Sequence, residues 1–333
     1  MRADARSPSQ GDAAVVTGAA GFVGRHLVAY LSEIGLRVYG LDRVTPKDVV
    51  QGLAGFARID VLDEEALGRC LGEIKPRYIF HLAANRPAPE GELSVGVNAL
   101  MTYRVLTCAA RLSQPCAIVV AGSAAEYGRS RSGKTPITEE AELRPVGLYG
   151  ISKVSQWQTA RWLAEALRLP VAYSRTFNLT GPGEPPTLVC AALAGQLADI
   201  VAGVREGPLV VHSPDHVRDF ADVRDAVRAY WLIAASATPE CPVFNVCSGQ
   251  GTSIREIAAQ IIDVAGSAVT TKEVQPVSPA SDVPWQTGSF ASLEAASGWQ
   301  PEIPLRATLE VVTREHLDAS GSPPPTRKLL DRR

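Results

Sequence analysis

The chain has 333 residues, of which 46% are hydrophobic and 20% charged, and its net charge is −2. Together with a mean hydropathy of +0.03, this composition excludes a disordered chain and predicts a soluble globular protein with a large core. No basic block occurs in the body of the chain, so we expect neither nucleic acid nor a membrane as a partner.

The ends and the cysteines add three expectations. Residues 1–12 are polar and lack the apolar segment of a signal peptide, and we expect them to be disordered. The tail 318–333 has three consecutive prolines and is also predicted to be disordered. The six cysteines form no C-x-x-C pair and have no nearby His cluster, which indicates reduced thiols in a cytoplasmic protein and no metal site.

A glycine-rich segment, Thr17–Gly24, follows the apolar run Ala13–Val16, which is typical of a buried parallel strand. After it, apolar residues recur at helical spacing, at Val23, Leu27, Tyr30, Leu31 and Ile34. Glycines allow a sharp turn and close approach of a pyrophosphate, and a helix N-terminus offers N–H groups to that anion. The segment therefore predicts half of a dinucleotide site, although its G-x-x-G-x-x-G spacing leaves a purely structural turn open.

An acidic residue, Asp42, ends the next predicted strand, Leu36–Leu41, about 20 residues after the glycines. A carboxylate there accepts hydrogen bonds from the adenosine ribose and repels a 2′-phosphate, which favours NAD(H). Arg43 follows directly and keeps NADP(H) open, because an arginine can pair with that phosphate. A turn aspartate without a ligand is the alternative.

Short apolar runs and helical stretches alternate along the rest of the chain. Strands are predicted over Phe56–Ile59, Arg77–Leu82, Ala117–Ala121 and Val171–Phe177, and helices over Val97–Leu112, Leu188–Val204, Val223–Ala235 and Ile254–Val264. This alternation predicts an α/β fold with a Rossmann-type doubly wound parallel sheet over 13–177 and a smaller C-terminal substrate-binding lobe over 178–317, interleaved with the last strands. The segment Gln275–Gly288, rich in Pro and Ser, is predicted to be a loop over the substrate, on which Trp285 either stacks on a ligand ring or packs.

Ligands of such sheets bind at the carboxyl ends of the strands. Asp60 and Val61 are placed there to touch the adenine. The residues at the end of the fourth strand, Leu82, Ala83 and Ala84, suit close approach of a cofactor or simple packing. His81 is predicted to be a core histidine. The fifth strand delivers Gly122 and Ser123 to the same edge.

Tyr149 and Lys153 begin a long predicted helix and share one of its faces, because they are four residues apart. A phenol is a poor acid or base at neutral pH, since its reference pKa is about 10. A neighbouring cation lowers that pKa and fits the phenol for proton exchange with a carbonyl or hydroxyl group. Ser123 is placed to hold the same substrate oxygen.

These residues carry a resemblance to a known family. The sequence resembles extended short-chain dehydrogenases/reductases of the sugar-nucleotide epimerase/dehydratase type. Within them it looks like the GDP-4-dehydro-6-deoxy-D-mannose reductases and their GDP-mannose 4,6-dehydratase relatives. The likeness covers about residues 13–316 and is carried by Thr17–Gly24, Asp42, His81–Ala84, Ser123–Gly128, Tyr149–Lys153, Arg175–Gly183, Arg218–Asp225, Phe244–Gly249, Ser281–Pro284 and Gly298–Pro301.

The resemblance implies a role for each matching residue. Tyr149 is the implied acid/base, Lys153 binds the nicotinamide ribose, and Ser123 orients the reacting oxygen. The implied cofactor-binding residues are Gly18, Gly21, Phe22, Val23, Gly24, Asp42, Arg43, Asp60, Val61, Leu82, Ala83, Ala84, Tyr149 and Lys153. The implied substrate-binding residues are Ser123, Glu126, Asn178, Arg218 and Asp282. The helix that begins at Tyr149 and the helix Val97–Leu112 resemble the helix pair through which members of this family form homodimers. Trp157 and Trp162 are the expected hydrophobic anchors of that interface.

Departures from the family pattern narrow the function. Dehydratases carry a glutamate where this chain has Ala125, which argues against water elimination. Basic residues of the reductases are replaced by Gly195 and Pro279, although a diphosphate usually needs more than one cationic partner. The sequence therefore predicts a small-molecule enzyme with three candidate activities: a 4-ketoreductase of a nucleotide-linked 4-keto-6-deoxyhexose, a nucleotide-sugar 4-epimerase with tightly bound NAD+, and a reductase of a natural-product ketone without a nucleotide. A non-catalytic binding protein is the remaining alternative.

Overall fold

The computed structural model describes residues 11–45, 50–85, 94–130, 135–275 and 283–321. In chain order the elements are β1 (Ala13–Thr17), α1 (Phe22–Glu33), β2 (Arg37–Asp42), β3 (Leu53–Arg58), α2 (Glu64–Ile74), β4 (Tyr78–His81), α3 (Ser94–Ala109), β5 (Ala117–Ala121), a 3₁₀ turn (Ala124–Glu126), α4 (Gly147–Ala166), β6 (Val171–Thr176), β7 (Asn178–Thr180), α5 (Val189–Val201), β8 (Leu209–His212), β9 (Val217–Asp222), α6 (Val223–Ala234), β10 (Val243–Val246), β11 (Gly251–Ser253), α7 (Ile254–Val264), β12 (Thr271–Val274), β13 (Trp285–Gln286), α8 (Ala291–Ser297) and α9 (Leu305–Ala319).

Seven parallel strands form the main sheet, in the order β3-β2-β1-β4-β5-β6-β10. Its two faces are covered by different helices: α1 and α6 pack on one side, and α2, α3 and α4 pack on the other. Successive residues of β1 alternate between these two cores, because neighbouring side chains of a strand point to opposite faces. The predicted Rossmann-type fold is thus confirmed, and its strand order reverses direction between β1 and β4.

Several predicted boundaries agree with the structure. Ala117–Ala121 and Ile254–Val264 coincide with β5 and α7. The helix predicted over Val97–Leu112 begins at Ser94 and ends at Ala109, because the chain after Ala109 tightens into i→i+3 turns.

The second lobe has a core of its own, formed by α5, α7, α9 and β8. Two small sheets lie outside the main sheet: β9 pairs with β7, β11 and β13, and β12 pairs with β8. The predicted loop Gln275–Gly288 was wrong at Trp285 and Gln286, which form β13 and pair in parallel with Val217 and Arg218 of β9. Residues 276–282 of that segment, with Pro279 and Asp282, lie outside the described residues.

At both ends the structure describes residues that were predicted to be disordered, namely 11–12 and 318–321. Gly11 donates to the carbonyl of Gly35, and the carbonyl of Asp12 accepts from Arg37 N–H. At the other end α9 continues to Ala319, because Leu317 is packed in the second core. Residues 1–10 and 322–333 lie outside the described residues. Within the described ranges, no helix combines the length and apolarity needed to cross a bilayer.

Candidate active site

The glycine loop lies between β1 and α1, at the carboxyl edge of the sheet. Gly18 has a φ of +73°, a conformation that glycine adopts readily. A Cβ atom on Gly24 would lie 2.1 Å from the carbonyl oxygen of Gly18, so only glycine allows this packing of loop on helix. Gly21 is the N-cap of α1 and has no side chain, which leaves N–H groups of the first turn to an anion. The loop therefore fits a dinucleotide pyrophosphate.

A cavity of about 530 Å³ adjoins the loop on the side of β2 and β3. It brings together most of the predicted adenosine-binding set: Gly18, Gly21, Asp42, Arg43, Asp60, Val61, Leu82, Ala83 and Ala84. Asp42 accepts hydrogen bonds from the backbone N–H of Ala20 at 3.0 Å and of Val44 at 3.1 Å. Its carboxylate thus ties the glycine loop to β2 while it faces the cavity.

A second cavity, of about 620 Å³, contains the predicted reaction centre. Its lining includes Gly18, Gly21, Phe22, Val23, Gly24, Arg43, Gly122, Tyr149, Lys153 and Asn178. Sequence positions more than 130 residues apart therefore meet in one space. The glycine loop lines both cavities, so a single extended cofactor can reach from Asp42 to Tyr149 along it.

Lys153 is almost fully buried, and two neutral acceptors hold its ammonium group. Nζ donates to the Ala121 carbonyl at 2.9 Å and to Gln156 Oε1 at 2.6 Å. Tyr149 lies one turn earlier on α4 and faces the same cavity. The cavity wall thus carries a phenol and, one helical turn later, a buried cation, which is the pair of groups expected for proton exchange.

Ser123 lies beside the cavity-lining Gly122 and begins the 3₁₀ turn. Its Oγ accepts from the N–H of Ala125 at 3.1 Å. A hydroxyl group has one proton and two lone pairs, so this contact leaves the Ser123 proton for a substrate oxygen. The backbone N–H of Ser123 donates to Glu126 Oε1 at 3.0 Å, and this contact holds Ser123 in place from the protein interior.

The prediction that Glu126 contacts the substrate was wrong. Its side chain is fully buried and forms an ion pair with Arg175, and it also accepts from the hydroxyl of Tyr173 at 2.9 Å. Burial raises the pKa of Glu126, and Arg175 opposes that rise. Glu126 therefore supports the turn at Ser123 from inside the protein, where no substrate reaches it.

His81 and Trp157 are also core residues. The His81 ring bonds through Nδ1 to Thr17 Oγ1 at 2.8 Å. Burial, reinforced by the charge of Lys153, lowers the His81 pKa to about 3, which confirms a neutral core histidine. The prediction of Trp157 as a dimer anchor was wrong. Trp157 is buried, and its ring lies 4.9 Å from the ring of Tyr173 and 5.5 Å from the guanidinium of Arg175.

The predicted substrate residues lie at different distances from the cavity. Asn178 lines it and donates to the Asp219 carbonyl at 3.2 Å. Arg218 lies on β9 outside the lining of either cavity and donates to the Val217 carbonyl. Asp282 is outside the described residues. Gly195 faces α9, since a Cβ atom there would lie 3.2 Å from the His316 ring, so this departure from the family pattern lies in a helix interface.

Sequence reasoning missed several polar residues that line the reaction cavity, among them Thr176, Glu184 and Tyr230. Thr176 Oγ1 and the Tyr230 hydroxyl lie 2.8 Å apart. Glu184 is 5% exposed and accepts from Thr180 Oγ1 at 2.5 Å, and burial raises its pKa. The G-P-G segment before Glu184 was a usable signal, because it places the residue in the turn that follows β7, the strand that begins at Asn178.

The cysteines and the acidic residues offer no second chemistry in the described ranges. All six cysteines are free, and only Cys70 is not buried. Burial raises the pKa of the Cys116 and Cys241 thiols to about 12, which makes these thiols unreactive. Within the described part of the chain, no group of His, Cys, Asp and Glu side chains is arranged to hold a metal ion.

Comparison with known proteins identifies the family. Residues 14–247 match the NAD dependent epimerase/dehydratase family. The chain belongs to this family. GDP-6-deoxy-D-mannose reductase of Pseudomonas aeruginosa is 30% identical over 303 residues, which cover 89% of this chain and 94% of that protein. Family membership and this relative make the protein an NAD(P)-dependent oxidoreductase of the short-chain dehydrogenase/reductase type.

Solved structures show the same architecture. The NADPH complex of RMD from Pseudomonas aeruginosa matches with a TM-score of 0.79 and 27% identity, and the match covers 92% of this chain and 99% of that one. The NAD complex of UDP-glucose 4-epimerase from Thermus thermophilus matches with a TM-score of 0.80 and 26% identity, over 91% and 98% of the two chains. These two neighbours bind different nicotinamide cofactors on one fold.

Proposed function

We propose that the protein is an NAD(P)H-dependent ketoreductase that reduces the keto group of a nucleotide-linked 4-keto-6-deoxyhexose. The observation that carries the proposal is the cavity that joins the glycine loop to Tyr149 and Lys153. The similarity to GDP-6-deoxy-D-mannose reductase supports the substrate class. Alanines at 124 and 125 argue against a dehydratase, because they supply neither a base nor an acid for loss of water.

Gly18, Gly21, Asp42 and Lys153 would hold the reduced cofactor, which would supply a hydride to the carbonyl carbon. The chain supplies the proton: Tyr149 donates its phenolic proton to the carbonyl oxygen, and that oxygen becomes the product hydroxyl. Ser123 donates a hydrogen bond to the same oxygen and holds it near the phenol. The charge of Lys153 stabilises the phenolate left after the transfer, until solvent returns the proton.

The direct test is Tyr149→Phe. We expect reduction of the ketone to fall by at least about 100-fold, the usual contribution of general acid catalysis. Affinity for the cofactor is expected to stay close to that of the wild type, because the phenol ring remains in place. Unchanged turnover in this variant would remove Tyr149 from the reaction and with it the proposed mechanism.

For the cofactor we favour NAD(H), on the position of Asp42 in the adenosine cavity. A carboxylate there accepts from ribose hydroxyls and repels a 2′-phosphate. Arg25 and Arg43 line the same cavity and act in the opposite sense, so the preference is a balance of charges. Dissociation constants of NADH and NADPH measured by fluorescence decide it, and an NADPH affinity equal to or above that of NADH would overturn the preference.

A 4-epimerase is the second candidate, and Asp42 favours it. An epimerase keeps its cofactor through the cycle, whereas a reductase exchanges it at every turnover. Denaturing the purified protein and identifying the released nucleotide separates the two. Near-stoichiometric NAD+ supports the epimerase, and an empty site that binds reduced cofactor reversibly supports the reductase.

Glu184 favours a third candidate, reduction of a ketone that carries no nucleotide. Its buried carboxylate lies in the reaction cavity before the first turn of α5, where a helix N-terminus otherwise attracts anions. Among the described residues that line this cavity, the cations are Arg43 and Lys153, both in the predicted cofactor set. A diphosphate therefore meets a negative charge at the α5 end of the cavity.

We also propose a homodimer through α3 and α4. Leu148, Ile151 and Trp162 lie on one face of α4, and Leu100 and Tyr103 lie one turn apart on α3. All five are at least 40% exposed, and Trp162 is 63% exposed. Apolar side chains concentrated on one helix pair are typical of a protein interface.

The free, mostly buried cysteines fit a reducing compartment, and we place the enzyme in the cytoplasm.

A further inference from the structure

The side chain of Gln156 connects the reaction centre to a neighbouring helix. Its Oε1 accepts from Lys153 Nζ at 2.6 Å, and its Nε2 donates to Thr102 Oγ1 of α3 at 3.0 Å. Gln156 and Thr102 are fully buried, and Lys153 is 2% exposed. A chain of hydrogen bonds therefore runs from α3 through Gln156 to the ammonium group behind Tyr149.

The two contacts define which way the amide points. An ammonium group only donates, so the oxygen of Gln156 must face Lys153 and the NH2 group must face Thr102. The amide then satisfies a buried N–H of Lys153 without adding charge. A carboxylate in the same place would satisfy it equally well but would cancel much of the positive charge, which acts strongly on its neighbours in a buried site.

The other described groups around Lys153 leave its charge effective. The titratable side chains that interact with Lys153 or Tyr149 from packed elements are His81 of β4, Tyr173 of β6 and Tyr230 of α6. His81 is neutral because its pKa is about 3. Glu126 is already paired with Arg175. Ala121 and Gln156 thus hold the ammonium through neutral oxygens, which add no charge that opposes its own.

We propose that Gln156 is a positioning residue for the reaction: its neutral oxygen fixes the Lys153 ammonium beside Tyr149 and preserves the charge that stabilises the phenolate. This inference rests on the proposed acid–base role of Tyr149. Thr102 is the anchor that keeps the amide in the required orientation. The residue type at 156 therefore sets how readily Tyr149 ionises.

Gln156→Glu tests the inference with a change of charge and almost none of size. Gln158→Glu is the matched control, since it makes the same change two residues later at an exposed position of α4. The readout is the ionisation of Tyr149 in protein labelled with ¹³C at the tyrosine ring carbon that bears the hydroxyl, followed by NMR, with Tyr149→Phe to assign the signal. We expect Gln156→Glu to raise the Tyr149 pKa by about one unit or more and Gln158→Glu to leave it unchanged.

A second readout is the pH profile of alcohol oxidation, the direction in which Tyr149 must be a phenolate. Its acidic limb is expected to shift to higher pH by the same amount in Gln156→Glu. Should that variant not fold, Thr102→Val loosens the amide from the other end, and a smaller upward shift is expected. A Tyr149 pKa equal to that of the wild type in the variant that folds would overturn the inference. The NMR titration needs neither substrate nor cofactor, so failure of the proposed ketoreductase activity is seen separately.

Discussion

Glu126 and Arg175 form a buried ion pair beneath Ser123. Arg175 Nε donates to Glu126 Oε2 at 2.9 Å, and the two side chains are 0% and 4% exposed for Glu126 and Arg175 respectively. The other carboxylate oxygen of Glu126 accepts from the Ser123 backbone. A pair of charges in the protein interior therefore supports the turn that presents the Ser123 hydroxyl to the site.

Glu126→Gln should destabilise the protein strongly, because it leaves the Arg175 guanidinium buried without its counter-charge. We expect a loss of about 3–5 kcal/mol in the free energy of unfolding, measured by urea denaturation. Glu65→Gln breaks the exposed pair with Arg69 and is the control, with an expected change below about 1 kcal/mol. Equal losses in both variants would contradict a special role for the buried pair.

His81 should make stability depend on pH. Its pKa in the folded protein, about 3, lies below the unfolded value of 6.5, so the unfolded chain binds a proton that the folded chain does not. The stability that neutral His81 contributes is complete above pH 6.5 and is lost as pH falls towards 3. We expect His81→Asn, whose amide replaces Nδ1 opposite Thr17, to flatten this dependence by about 1.4 kcal/mol per pH unit. His212→Asn, at an exposed position, is the control; a curve for His81→Asn that parallels the wild type would refute the assignment.

Removal of the Glu184 charge should favour anionic ligands. We expect Glu184→Gln to bind UDP or GDP about tenfold more tightly than the wild type, because a like charge near the diphosphate is gone. Calorimetric titration measures the change. Asp199→Asn removes an exposed carboxylate from the same helix and should have no effect. An unchanged affinity in Glu184→Gln would show that the diphosphate does not approach α5, and would remove the argument from Glu184 against a nucleotide-linked substrate.

Trp162 should be needed for the dimer. Trp162→Glu places a charge in the proposed α3–α4 interface, and light scattering after size exclusion should then report a monomer. Val204→Glu makes a comparable change at a 77% exposed position of the other lobe and should leave the assembly intact. A wild-type monomer, or a Trp162→Glu dimer, would contradict the proposed interface.

The sequence predicted the parts of the site that depend on local pattern. The glycine segment and Asp42 lie in one strand–turn–helix–strand unit, and Tyr149 and Lys153 share one helix face, so spacing alone brings each set together. The two sets were expected to lie close together because the parallel strands of such a sheet end at one edge. The structure confirms that they line one cavity.

Side-chain burial could not be predicted in the same way. Glu126 lies one residue from an expected catalytic position, and only the approach of Arg175, 49 residues later, shows that it faces inward. Trp157 was predicted to lie at the surface because its helix was expected to form the dimer interface. The face of α4 that bears Trp157 packs on Tyr173 instead. The small sheet around β9 was missed because its partners, β7, β11 and β13, are two or three residues long and carry almost no periodicity.

The most direct test of the proposed activity follows the hydride. The enzyme is incubated with a nucleotide-linked 4-keto-6-deoxyhexose and reduced cofactor deuterated on the transferred position, and the product is analysed by mass spectrometry and NMR. The proposed reductase gives a product with one deuterium at the new carbinol carbon, and Tyr149→Phe gives almost none. Product without deuterium, or no consumption of the ketone with either NADH or NADPH, would contradict the proposed activity.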